Sequence, residues 1–189
     1  MDPQTTTTRT SHYSAISGTN TTSDYIDLHD VLYGDIYTNG IFFPDSNTRI
    51  AQISDGTSNT LAIGERTYFI FHAWLSGATW YGITPPPGRI PTLSDFPPTA
   101  GIAMGGENNI IFPINADHNT YGYYKFDFSV PPDQRKMRLN ELPFASRHPG
   151  GAHFGYADGS VHFLNETINF TTLQALATKD GGEVVDELP

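Results

Sequence analysis

The 189-residue chain contains no cysteine, which removes disulfide frameworks, thiol nucleophiles and cysteine-ligated zinc in one step. Compartment stays open, since cysteine-free proteins occur both inside and outside the cytosol. Cations are also scarce: ten Lys and Arg stand against twenty Asp and Glu, for a formal charge of −10. Binding a polyanion takes clustered cations that release counterions, so no nucleic-acid partner is expected. The one basic run, Arg135-Lys136-Met137-Arg138, follows Pro131-Pro132 and reads as a solvated loop. No stretch reaches the roughly 18 apolar residues of a membrane span. The Met1-Asp2-Pro3-Gln4-Thr5 start has neither the basic nor the apolar region of a signal peptide. Taken alone, the chain is expected to make no membrane contact and shows no export signal.

What is present points to short strands and long turns. The 18 glycines and 14 prolines disfavour extensive helix, while 12 Phe, 10 Tyr and 2 Trp supply an aromatic core. A domain of this length buries about 70% of the surface its unfolded chain exposes, so residues 12–189 are expected to form one globular domain behind a Thr-rich, disordered segment at 1–11. Tyr13 to Gly18 reads as a strand, Tyr25 to Tyr37 as an irregular acidic segment with scattered aspartates, and Gly40 to Phe43 as a strand stopped by Pro44. Arg49 to Ile53 suits one helical turn. Thr60 to Phe71 reads as the longest strand, with Leu61 and Ile63 on one face. Ile110 to Ile114 and Tyr121 to Val130 are further strand candidates, and the proline-rich 84–101 is a surface loop. Thr171 or Thr172 can cap a short helix from Leu173 to Thr178, ended by Gly181-Gly182.

The strongest local signal is Asp158-Gly159 between two alternating, aromatic-rich runs, which predicts a two-residue hairpin loop with both residues at positive φ. Counting outward pairs Tyr156 with Val161, Gly155 with His162 and Phe154 with Phe163. Phe154, Tyr156, Val161 and Phe163 then form the buried face, and His153 and His162 share the other.

These same residues resemble a large planctomycete-type family of exported, prepilin-like proteins whose C-terminal signature is His, nine residues, Asp-Gly. Here that signature is His148 to Asp158-Gly159. Ile53-Ser-Asp-Gly-Thr-Ser-Asn-Thr-Leu-Ala-Ile-Gly-Glu65 looks like the family's other hallmark, and Leu173 to Val185 matches its usual ending. The resemblance covers the chain from about Ser11 onward, with Thr84 to Asn140 variable. Members normally begin with a prepilin leader and a long apolar helix. The resemblance therefore implies a pilin-like head with that helix missing, an extracytoplasmic or cell-surface location, and protein partners or self-assembly through the missing helix.

Three constellations invite a chemical reading. His148, His153 and His162 lie close in sequence, and with a carboxylate such as Asp158 or Glu166 they would suit zinc. The favoured reading is structural: His148 bonds to nearby backbone or to a side chain of the 55–65 region or the hairpin, and Gly150-Gly151 supply positive φ or close approach. Asp55, Gly56, Thr57, Ser58, Asn59 and Glu65 offer oxygen ligands but lack the alternating acids of a strong calcium loop, so they read as a backbone-satisfying turn. Trp74, Trp80 and Tyr81 can stack on sugar, leaving glycan contact open, although large aromatics more often build core. There is no Gly-x-Ser-x-Gly elbow, no His-Glu-x-x-His helix and no phosphate loop.

The sequence thus predicts an α+β, predominantly antiparallel β domain with long loops and a short C-terminal helix. Its expected role is a structural or interaction module, not an enzyme, with no cofactor. The alternatives are a small-molecule or carbohydrate-binding module and a metal-dependent hydrolase built on His148, His153 and His162.

Overall fold

The structure is a computed structural model describing residues 12–27, 34–66, 78–80, 102–104, 107–121 and 137–183, with backbone alone at 78–80 and 102–104. Its centre is a five-stranded sheet in the order β7-β1-β4-β8-β9. The strands are β1 (Tyr13–Gly18), β4 (Leu61–Glu65), β7 (Glu107–Asn109), β8 (Gly151–Tyr156) and β9 (Val161–Asn165). All neighbours are antiparallel except β1 and β7, as expected for an α+β domain assembled mainly from non-crossover connections. Two ribbons accompany it: β2 (Tyr25–Ile26) with β3 (Ile36–Tyr37), and β5 (Ala78–Trp80) with β6 (Ile102–Met104). Among the described residues, helix is confined to α1 (His118–Tyr121), α2 (Phe170–Leu176) and two 3-10 turns, Ile50–Gln52 and Leu139–Glu141.

Alternation explains which sheet face is buried. Ser14 and Ile16 of β1, Ala152, Phe154 and Tyr156 of β8, and Leu164 of β9 point to one side. There they meet Leu61, Ile110, Phe144 and the inner face of α2, Leu173 and Leu176. Phe154 is 1% exposed, its ring 5.6 Å from that of Phe144, and burying a side chain of this size contributes about 2–3 kcal/mol. Phe112, Ala116, Met137 and Leu142 form a second small cluster. The β2-β3 ribbon is fastened to the sheet by buried amides. The Asn109 side chain accepts from the Ser17 hydroxyl at 2.8 Å and the Tyr37 N–H at 2.9 Å, and donates to the Asp35 carbonyl at 2.7 Å. Buried amides matched on both ends stabilise a specific arrangement, because any other leaves them unpaired.

Several sequence expectations are corrected. The hairpin register is shifted by one: Gly155 pairs with Val161, Phe154 with His162 and His153 with Phe163. The Tyr156 N–H donates to the Ser160 carbonyl and the Gly159 N–H to the Tyr156 carbonyl, so the loop is Ala157-Asp158-Gly159, a turn followed by a bulge glycine. Only Gly159 has positive φ, +87°; Asp158 does not. The shift turns β9 over. Phe154 and Tyr156 are buried as expected, but Val161 is 64% and Phe163 39% exposed, with Leu164 buried in their stead.

A bulge in β4 between Leu61 and Ile63 likewise parts two residues predicted to share a face, leaving Leu61 buried and Ile63 exposed. Gly40 to Phe43 forms no strand, although the Gly40 and Phe42 N–H groups donate to the Ser17 and Ile16 carbonyls. Ile110 to Ile114 follows β7 as irregular core-filling chain. The helix α2 begins three residues earlier than predicted because Asn169, not Thr171 or Thr172, caps it, accepting the Thr171 N–H at 2.9 Å. Met137 is fully buried, so the basic run is not wholly a solvated loop. The predicted disordered segment at 1–11, the loop at 84–101, the strand beyond Tyr121 and the side chains of Trp74, Trp80 and Tyr81 lie outside the described residues. Among the described residues, no helix is long and apolar enough to cross a membrane.

Candidate functional site

On the open face of the sheet, β4 and β8 bring Glu65 opposite His153. The pairing Gly64 with Phe154 fixes this register, and the His153 N–H donates to Glu65 Oε2 at 2.8 Å. The His153 Nδ1 lies 3.2 Å from the same oxygen. His148 arrives from the loop before β8, with its Nε2 3.5 Å from Glu65 Oε1. The two imidazoles meet edge to face at 5.0 Å between centroids. Glu65 is the least accessible of the three, its side chain 14% exposed against 56% for His148 and 41% for His153. One donor atom from each residue falls within 4.8 Å of the others.

The support around this cluster is local and specific. The Ser146 hydroxyl donates to the Gly151 carbonyl at 2.7 Å and accepts the His148 N–H at 3.0 Å, shaping the turn that carries His148. The Ser146 N–H in turn donates to the Asn115 side chain at 2.9 Å. Gly150 turns the chain with φ +83°, and Gly151 packs so closely on the Leu164 backbone carbonyl that a Cβ would not fit. The His153 ring rests on Phe163, 5.1 Å between centroids. Above the cluster is a cleft of about 480 Å³ bounded by Tyr13, Ile63, Gly155 and Val161.

His162 takes no part. Because of the shifted register it lies on the face opposite His153, beside the Tyr156 ring and 3.2 Å from the Ser160 hydroxyl. The proposed carboxylate partners are also placed elsewhere. Asp158 Oδ1 accepts the Ser160 N–H at 2.8 Å, and hydrogen bonds from the Ser160 side chain and then its backbone hold the Asp158 carboxyl below its ordinary value. Glu166 accepts from the Asn115 amide at 2.7 Å. The carboxylate that does meet the histidines is Glu65, and its distance of 83 residues from His148 hid it from any local spacing rule. The sequence signal was the expectation that His148 bonds a side chain of the 55–65 region or the hairpin, which did not single out Glu65.

The residues 53–65 act as a junction. Asp55 accepts the Gly181 and Gly182 N–H groups through its two carboxylate oxygens, at 2.8 and 3.0 Å. The Asn59 amide donates to the Asp55 carbonyl and the Thr60 hydroxyl to the Gly56 carbonyl, both at 3.0 Å, around Gly56 at φ +95°. The Thr57 and Thr60 carbonyls accept the Asp158 and Ala157 N–H groups of the hairpin loop. Ser58 is exposed. Thus Asp55 binds Gly181 and Gly182, Thr57 and Thr60 hold the Asp-Gly turn, and Glu65 meets His148 and His153.

A separate, more polar cleft of about 870 Å³ lies between Thr21 to Tyr25, Thr38, Asn39 and Thr178 to Gly181. Two of its polar side chains are committed internally: Lys179 Nζ donates to the Thr38 carbonyl, and the Asn39 amide bonds the Thr19 backbone.

A family model described as "Protein of unknown function (DUF1559)" matches residues 2–171. No curated protein matches the chain, and no solved structure does.

Proposed function

Because the chain belongs to this planctomycete prepilin-like family of unknown function, whose members are generally exported, we propose that it is the extracytoplasmic head of a pilin-like protein. On this reading it works as a structural or interaction module without catalysis. One observation carries the proposal: outside the Glu65, His148 and His153 cluster, polar groups of the family-like segments are spent on one another. Asp55 satisfies Gly181 and Gly182, and the 57–60 turn satisfies the Asp158 loop. Groups that saturate each other stabilise a fold, whereas catalytic machinery leaves donors and acceptors aimed at a substrate. The exposed β9 edge and the apolar face bearing Tyr13, Ile63, Val161 and Phe163 suit contact with other protein chains.

The test is an epitope tag placed on the protein as its own gene encodes it in a planctomycete-type cell. Protease added to intact cells is expected to remove the tag signal, and crosslinking before lysis to retain the chain in a larger assembly. Recovery of the whole pool in the cytosol, inaccessible to protease and uncrosslinked, refutes the reading.

A further inference from the structure

We propose that Glu65, His148 and His153 form a binding site for one zinc-class divalent ion, with an open coordination position facing the cleft. The donor set is two imidazoles and a carboxylate, the borderline-soft mixture that zinc prefers and that calcium, seeking six to eight oxygens, does not.

Distances agree with this assignment. A tetrahedral ion bonded at about 2.0–2.1 Å sets its ligand atoms about 3.3–3.4 Å apart; His153 Nδ1 lies 3.2 Å from Glu65 Oε2, His148 Nε2 lies 3.5 Å from Glu65 Oε1, and one donor atom from each residue falls within 4.8 Å of the others, so the exposed His148 side chain closes in to complete the set. The longer contact to Glu65 exceeds a good hydrogen bond, so a direct bond is a poor account of why His148 stands there. An ion between the rings and the carboxylate accounts for all three orientations together.

The ligands are also held in place. Glu65 accepts the His153 backbone N–H, the Phe163 ring packs against the His153 ring, and the Ser146 hydroxyl accepts the His148 backbone N–H, so the chain that carries each ligand is held in place. Three protein ligands leave a fourth position, and the space above the cluster belongs to the cleft under Tyr13 and Val161, where water or a group from a partner chain completes the coordination. A bound ion fastens the 146–150 loop to the sheet, which joins two segments distant in sequence. This goes beyond the surface-module reading and does not depend on it: the metal is measured on purified protein, the module in cells.

The experiment is titration of the chelator-stripped full chain with Zn²⁺, and with Co²⁺ as an optical probe. One equivalent is expected to bind with micromolar or tighter affinity, to give the intense visible absorption of low-coordinate cobalt and to raise the unfolding midpoint. Ca²⁺ should do none of these. His148→Ala changes an exposed loop side chain and leaves the fold intact; it should weaken binding at least tenfold and abolish the cobalt spectrum. His162→Ala, on the opposite face, should leave both unchanged. Glu65→Gln, which keeps the shape, should weaken binding as His148→Ala does. Absence of stoichiometric binding overturns the proposal, as does an equal loss of affinity in His162→Ala, the mark of adventitious histidine binding.

Discussion

Burial displaces two carboxyl groups far enough that the domain should lose stability as pH rises from about 4.5 to about 7. Glu107, on the edge strand β7, is pushed up from 4.5 to about 7 by desolvation, and its Oε1 is buried without a hydrogen-bond partner. Glu141 is likewise pushed up to about 7 by desolvation, with Asp35 adding to the effect and Arg138, 3.6 Å away, only partly opposing it. In the unfolded chain both release their protons near the ordinary value, while the folded protein keeps them until about 7. Between these limits the folded state binds more protons, so stability is full at the acidic end and falls as pH rises. At about 1.36 kcal/mol per pH unit, each displacement is worth on the order of 3 kcal/mol, a sizeable part of the 5–15 kcal/mol that holds an ordinary domain together. Glu107→Gln removes one of the two titrations while keeping the side-chain shape. Urea unfolding at about pH 5 and about pH 8 should show the parent losing stability at the higher pH. The variant should match the parent at the lower pH and exceed it by about 1–3 kcal/mol at the higher. A parent whose stability is flat or rising across that interval, with the variant tracking it, would mean that these carboxyls are hydrated and the burial argument is wrong.

Two stability predictions follow from single backbone features. Gly159→Val should cost about 1–2 kcal/mol through its positive φ alone, since nothing lies within 4 Å of the added Cβ; a variant that unfolds at the parent's urea midpoint removes the case for a bulge glycine. Asn169→Ala removes the α2 cap and should cost about 1 kcal/mol, whereas Thr172→Ala should stay within about 0.5 kcal/mol, so equal losses in thermal unfolding would contradict the capping assignment.

How far the sequence reached depends on the range of the interaction that decides each feature. The strand at Tyr13–Gly18, the helical turn at Ile50–Gln52 and the hairpin around Asp158-Gly159 were readable because alternation, local polarity and turn chemistry act within a few residues. The hairpin register was not. Asp-Gly serves a two-residue loop and also the end of a three-residue loop whose glycine forms a bulge, and these differ by one residue of pairing. Counting outward from Asp158-Gly159 as a two-residue loop takes the first, placing Val161 and Phe163 inward. The protein takes the second because it places Leu164 beside Ala152 in the core and because β9 is an edge strand, where exposed Val161 and Phe163 are tolerated. The error then propagated to chemistry. Turning β9 over sends His162 to the far side, and the three-histidine cluster read from spacing becomes two histidines and a glutamate. Glu65 could not be found by counting from His148, because their meeting depends on β4 lying next to β8. That adjacency follows from Leu61 and the small Gly64 packing against Tyr156 and Phe154, where a Cβ at Gly64 would collide with the Phe144 and Phe154 rings. The site is therefore a product of core packing on the opposite face of the sheet: Gly64 and Phe154, the chain neighbours of Glu65 and His153, pack toward the core and so set the register that brings the two polar side chains together on the open face.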